Sequence, residues 1–126
     1  MDWSQVERKI RADIIPGTTG VLKCDGIERR TVTSNAGAGI GMRTGVRTGQ
    51  TKAIKYPMLR LAFESLDLRG RFDLDDFKSR FASEYSAAPC RYSMTGGVLI
   101  EIGLAKLVRS SRGEECHYLK NDKLTA

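Results

Sequence analysis

The chain has 126 residues, of which 40% are hydrophobic and 29% charged, the profile of one globular chain rather than a disordered or fibrous one. No apolar run reaches the roughly 18–20 residues of a membrane span. Met1-Asp2-Trp3-Ser4-Gln5 lacks the basic-then-apolar pattern of a signal peptide, so a cytoplasmic protein is expected.

The net charge of +6 is unevenly placed. Residues 29–56 carry Arg29, Arg30, Arg43, Arg47, Lys52 and Lys55 and no acid, whereas residues 57–126 carry eleven basic and ten acidic side chains. An unopposed block of cations fits a polyanionic partner.

In chain order, Trp3, Val6, Ile10 and Ile14 recur at helical spacing, and Asp2 or Ser4 supplies a cap, so residues 2–15 are expected to be helical. Pro16-Gly17 ends that helix. Asp25-Gly26 between two β-prone runs, Val21–Cys24 and Ile27–Thr33, signals a two-residue hairpin. Residues 34–50 read as a long glycine-rich loop in which Arg-Thr-Gly occurs twice. Residues 52–56 return as a third strand.

Pro57 opens a second helix, striped by Leu59, Ala62, Phe63 and Leu66 and ended by Gly70. Asp73 caps a third, with Asp76 completing the box and Leu74, Phe77, Phe81 and Tyr85 as its apolar stripe. A fourth runs from a Ser93 cap to about Ala105. Leu107–Arg109 and Glu115–Lys120 then form two short strands around a turn at 110–113.

The phrase Ile102-Gly103-Leu104-Ala105-Lys106-Leu107-Val108-Arg109, followed by Ser110-Ser111-Arg112-Gly113 and His117-Tyr118-Leu119, closes this run of three helices and two strands. It resembles the end of a recognition helix and the basic, glycine-tipped wing of the winged helix-turn-helix superfamily. The resemblance covers residues 57–120 and is one of pattern. Gly96-Gly97 inside the expected recognition helix departs from it, since each glycine costs about 1 kcal/mol relative to alanine. The expected architecture is α+β. An N-terminal helix, hairpin and basic loop occupy residues 1–56, and a three-helix winged domain occupies residues 57–122, the two forming one unit. Small DNA-reading modules beside restriction and phage-defence enzymes combine similar parts.

The resemblance implies that Arg91, Tyr92, Ser93 and Thr95, at the start of the recognition helix, meet base edges or phosphates in a major groove. It also places Arg109 and Arg112 on the wing, against phosphate or the minor groove. Glu114 and Glu115 beside them oppose such a contact. From charge alone, Arg43, Arg47, Lys52 and Lys55 are expected to track a phosphate backbone.

The single histidine, His117, excludes sites built on two or more histidine ligands. Cys24, Cys90 and Cys116 are odd in number and widely spaced, so reduced, buried thiols are expected and no metal site. Gly37-x-Gly39-x-Gly41 matches neither a dinucleotide fingerprint nor a P-loop, and no cofactor is expected. The acids at 73, 75 and 76 are better explained by a helix start than by nuclease chemistry. The expected function is therefore non-catalytic: a module or regulator that binds double-stranded DNA. The alternative is a protein-interaction or dimerisation adaptor, with Trp3, Val6, Ile10 and Ile14 as the face for a second copy or another protein.

Overall fold

A computed structural model describes residues 1–24, 26–43, 51–109 and 115–121 of the chain. It is an α+β structure with helices α1 (Trp3–Asp13), α2 (Tyr56–Arg69), α3 (Leu74–Ala87) and α4 (Cys90–Glu101). Strands β1 (Val21–Leu22), β2 (Arg29–Ala36), β3 (Gly39–Arg43) and β4 (Thr51–Lys55) form an antiparallel sheet in the order β1-β2-β3-β4. Strands β5 (Arg71–Phe72), β6 (Ala105–Val108) and β7 (His117–Lys120) form a second antiparallel sheet, in the order β5-β7-β6.

The helix signals at Asp2, Asp73 and Gly70 translate directly into structure. The Asp2 carboxylate accepts the Gln5 N–H at 3.0 Å and the Gln5 side chain accepts the Asp2 N–H at 2.9 Å, so Asp2 rather than Ser4 caps α1. Asp73 and Asp76 make the same reciprocal pair at α3. Gly70 closes α2 in the left-handed region at φ 72°. Ser93 does not cap α4; its hydroxyl donates to the Cys90 carbonyl inside the helix, which begins at Cys90.

The expected loop over residues 34–50 is corrected in its first part. Residues 34–36 continue β2 and residues 39–43 form β3, paired with β4 from Gly39↔Lys55 to Arg43↔Thr51; residues 44–50 lie outside the described residues. The glycines mask a strand because the packing needs them. A Cβ on Gly39 would lie 2.6 Å from the Ile54 carbonyl oxygen across the sheet. The first hairpin is also longer than two residues. Leu22 pairs with Arg29, and the Lys23 N–H donates to the Glu28 carbonyl. The turn passes through Gly26 at φ 73°.

One hydrophobic cluster joins both halves of the chain. Val32, Ile40, Met42 and Ile54 bury the inner face of the first sheet. Val6, Ile10 and Ile14 are fully buried in the same core and Trp3 lies against Phe63, so this helix face is packed within the chain and is not free for a second copy. Asn35 fixes α1 to the sheet. Its amide donates to the Ile10 and Ile14 carbonyls, and its side-chain oxygen accepts the Tyr56 hydroxyl at 2.6 Å. Arg11 completes this corner, with its guanidinium 4.0 Å over the Tyr56 ring and donating to the Gly37 carbonyl. Burial raises the Tyr56 phenol above its ordinary value, although Arg11 opposes that shift.

Candidate functional site

Helix α4 is enclosed. Every residue from Tyr92 to Leu99 is buried, and the helix is packed by β1, β4, α2, α3 and β6. Tyr92 sits in an aromatic cluster with Phe72, Phe77 and Tyr118, at centroid distances of 5.3, 6.0 and 5.7 Å, and its hydroxyl donates to the Cys116 carbonyl. Thr95 is fully buried and donates to the Arg91 carbonyl. Ser93 accepts a hydrogen bond from Arg30, itself 2% exposed. Arg91 donates to the Ala53 carbonyl on β4 and the Glu84 carbonyl on α3.

The expected groove contacts of Tyr92, Ser93 and Thr95 are therefore corrected, because these side chains are buried. Arg91 is half-buried and ties α3 and α4 to the edge of the first sheet. The physical reason is that residues 1–56 lay their sheet against the helix that the C-terminal half alone would expose. Gly96 belongs to this packing, because a Cβ there would overlap the Tyr118 ring.

Arg109 is exposed after β6 and its side chain passes beside Gly26. Arg112 and the turn expected as the wing tip lie outside the described residues, as does Arg47.

The outer face of the first sheet gathers chemistry that the sequence disperses. Register places Thr31 against Arg43, Ser34 against Gly41, Gly41 against Ala53, Arg43 against Thr51 and Gly39 against Lys55. Alternation then sends Arg43, Thr51 and Lys55 to the side opposite Ile40, Met42 and Ile54. Arg43 and Lys55 are exposed, at opposite ends of this face. Between them a Cβ on Gly41 would lie 2.7 Å from Ser34 Oγ, 3.0 Å from Thr33 Oγ1 and 3.3 Å from Thr51 Cγ2. Hydroxyl-bearing side chains thus converge over a glycine floor, flanked by two cations. The shift in register between Val32 and Ser34 is what leaves both Thr33 and Ser34 exposed. Lys52 is half-buried, paired with Met42 and so pointing to the other side. Sequence reading found the cations but missed Thr33, Ser34 and Thr51. The available signal was the alternation around Ile40 and Met42, which the glycines obscure.

The cysteines also differ from expectation. Cys24, after β1, is bonded to Cys116, before β7, with Cα atoms 5.6 Å apart, while Cys90 is free and half-buried. Sequence spacing does not reveal this pair, since it depends on the docking of the two halves. Donor atoms of Cys24, Glu115 and Cys116 lie within 4.8 Å of one another. The sulfur–sulfur bond occupies the two softest of these donors, so the trio holds no thiolate pair for a metal in this form.

The groups with shifted titration lie in packed or capping contacts. Burial drives the Tyr92 and Tyr118 phenols far above their ordinary range and keeps them neutral. Burial works against the Asp73 carboxylate, but the Asp76 N–H and the Arg71 and Arg69 guanidiniums outweigh it and hold Asp73 low. Burial and the Asp73 charge raise Asp76.

Fold and surface together define an α+β protein of two small antiparallel sheets with a cationic, hydroxyl-rich sheet face. No protein-family model, curated protein or solved structure matches the chain. Among the described residues no helix is long and apolar enough to cross a membrane.

Proposed function

We propose that the protein is a non-catalytic module that binds duplex DNA through the outer face of β2–β3–β4, and that its C-terminal half is a winged helix-turn-helix used as a scaffold. The observation that carries this reading is the pairing of exposed Arg43 and Lys55 on one sheet face around the Thr33, Ser34 and Thr51 side chains, within a segment that contains no acid from residue 29 to residue 56. Cations and hydroxyls are the donors that phosphate oxygens accept from. All nine aromatic residues of the chain fall outside residues 29–55. The face therefore lacks the stacking platform on which single-strand binders rely, which favours a duplex backbone.

The scaffold reading rests on chain order. Helix, strand, helix, helix, strand, strand, with the sheet ordered β5-β7-β6, is the order expected of a winged helix. With α4 buried, sequence-independent binding to the backbone replaces base reading by that helix.

Fluorescence anisotropy with a random duplex, titrated with salt, tests the proposal. The wild type should bind with a steep log–log salt dependence. Combining Arg43→Ala with Lys55→Ala should flatten the slope by about 0.9 per cation and weaken all sequences alike. An Arg80→Ala control on α3 should leave the slope unchanged. Equal slopes in the wild type and the double variant would refute the assignment of this face.

The burial of α4 gives the adaptor reading its own support, because a winged helix with a covered third helix has lost its usual groove contact. Leu68 is 83% exposed beside the cleft lined by Leu61, Ser65 and Arg80 and is the apolar contact such an adaptor would offer.

A further inference from the structure

Two of the three cysteines, Cys24 and Cys90, line one cleft. A cleft of about 280 Å³ is lined by Lys23, Cys24, Arg30, Cys90, Ser93 and Glu115, among others. Cys24 lines it and is half-buried, whereas its partner Cys116 is 1% exposed and does not line it. The Tyr118 hydroxyl lies 3.7 Å from Cys116 Sγ and 3.9 Å from Cys24 Sγ. The disulfide thus presents one sulfur to a small open cleft and keeps the other behind it, beside a phenol.

We infer that Cys24–Cys116 is an exchangeable disulfide, entered at Cys24 by low-molecular-weight thiols and resolved by Cys116. A thiolate must reach one of the two sulfurs, and of the bonded pair only Cys24 lines the cleft while Cys116 is buried. Attack forms a bond between the incoming sulfur and Cys24 Sγ, breaks the Cys24–Cys116 bond and releases Cys116 as a thiolate, towards which the Tyr118 hydroxyl donates. A second thiolate attacks the incoming sulfur of the mixed disulfide and releases Cys24 as a thiolate and the small molecule as its disulfide. Two electrons pass from two small thiols to the protein. In the reverse direction a low-molecular-weight disulfide oxidises the pair and leaves as two thiols. The size of the cleft favours a small thiol over a protein reductant.

The bond spans 92 residues of sequence and ties the β1–β2 turn to β7. It therefore clamps the first sheet to the half of the chain that carries α4. Closing so long a loop restricts the unfolded chain strongly, so reduction should lower the thermal midpoint by on the order of 10 °C.

The test uses the whole chain equilibrated in graded mixtures of reduced and oxidised glutathione, quenched in acid, alkylated and mapped by peptide mass spectrometry. The expected result is a Cys24–Cys116 disulfide that opens as reduced glutathione rises. The mixed disulfide with glutathione should sit on Cys24 at least ten times more often than on Cys116, with Cys90 alkylated throughout. Cys90→Ser should give the same map, and Cys116→Ser should accumulate the Cys24 adduct. If Cys116→Ser fails to fold, the wild-type map alone decides. Three alkylatable thiols at every ratio would overturn the proposal, as would adducts shared equally between Cys24 and Cys116. Retention of one equivalent of Zn²⁺ by the reduced protein, with Cys24 and Cys116 shielded from alkylation, would also overturn it and give these sulfurs and Glu115 to a metal.

Discussion

Gly96 shows how a single residue can carry a tertiary requirement. In an isolated helix, alanine at this position would be favourable by about 1 kcal/mol. In the fold its Cβ would overlap the Tyr118 ring, which packs against both Phe72 and Tyr92. Gly96→Ala should therefore destabilise the protein by about 2 kcal/mol or more despite its helix propensity, measured as a shift in the urea midpoint at constant m. Asp73 is the complementary case, in which local chemistry decides. Removing this cap with Asp73→Ala should cost about 1 kcal/mol at neutral pH. The folded-state value of Asp73 is lowered, so its contribution is present above the ordinary carboxylate value of 3.8 and lost as the pH falls below it. The variant should therefore lose stability less steeply on acidification, as urea midpoints at pH 7 and pH 3 would show.

At the scale of elements, α4 and the first sheet exchange the roles that their sequences imply. The residues at the start of α4 look suited to a groove because they are polar or aromatic. Arg91, Ser93 and Thr95 instead spend their hydrogen bonds inside the protein. The glycine-rich segment looks unstructured, yet its register builds a sheet face with Arg43 and Lys55 at its two ends. Replacing Thr33 and Ser34 together by alanine should lower duplex affinity without changing the salt slope, because hydroxyls donate to phosphate without displacing counterions. Anisotropy at two salt concentrations separates that effect from loss of Arg43 and Lys55, which changes both.

For the whole molecule, the two halves share one hydrophobic cluster, in which the N-terminal sheet covers the helix that the C-terminal half supplies. Tyr92 and Tyr118 lie in that shared core and are held neutral by burial. Their folded-state values are raised above 10, so their stabilisation is complete below pH 10 and declines as the pH rises beyond it. Alkaline unfolding followed by circular dichroism should coincide with phenol ionisation followed by absorbance. Tyr118→Phe should make the alkaline limb shallower, by up to about 1.4 kcal/mol per pH unit for one ionising group.

The sequence by itself determined that there are four helices among the described residues, where α2 and α3 begin and where α2 ends, whereas both ends of α4 differ from the Ser93-to-Ala105 reading. Caps at Asp2 and Asp73, the proline opening α2 and the glycine closing it are local signals that act within a few residues. It also determined the charge asymmetry that points to a polyanion. Only the tertiary structure decided what each element faces. Strand β3 was hidden because glycines at 39 and 41 are demanded by neighbours across the sheet, and β5 escaped notice because two residues carry no periodicity. Burial of Tyr92, Ser93 and Thr95, pairing of Cys24 with Cys116 and convergence of Thr33, Ser34 and Thr51 over Gly41 all depend on contacts between segments distant in sequence or on strand register. Local patterns record the conformation of a segment, whereas exposure and partnership are set by the surface that another segment lays against it.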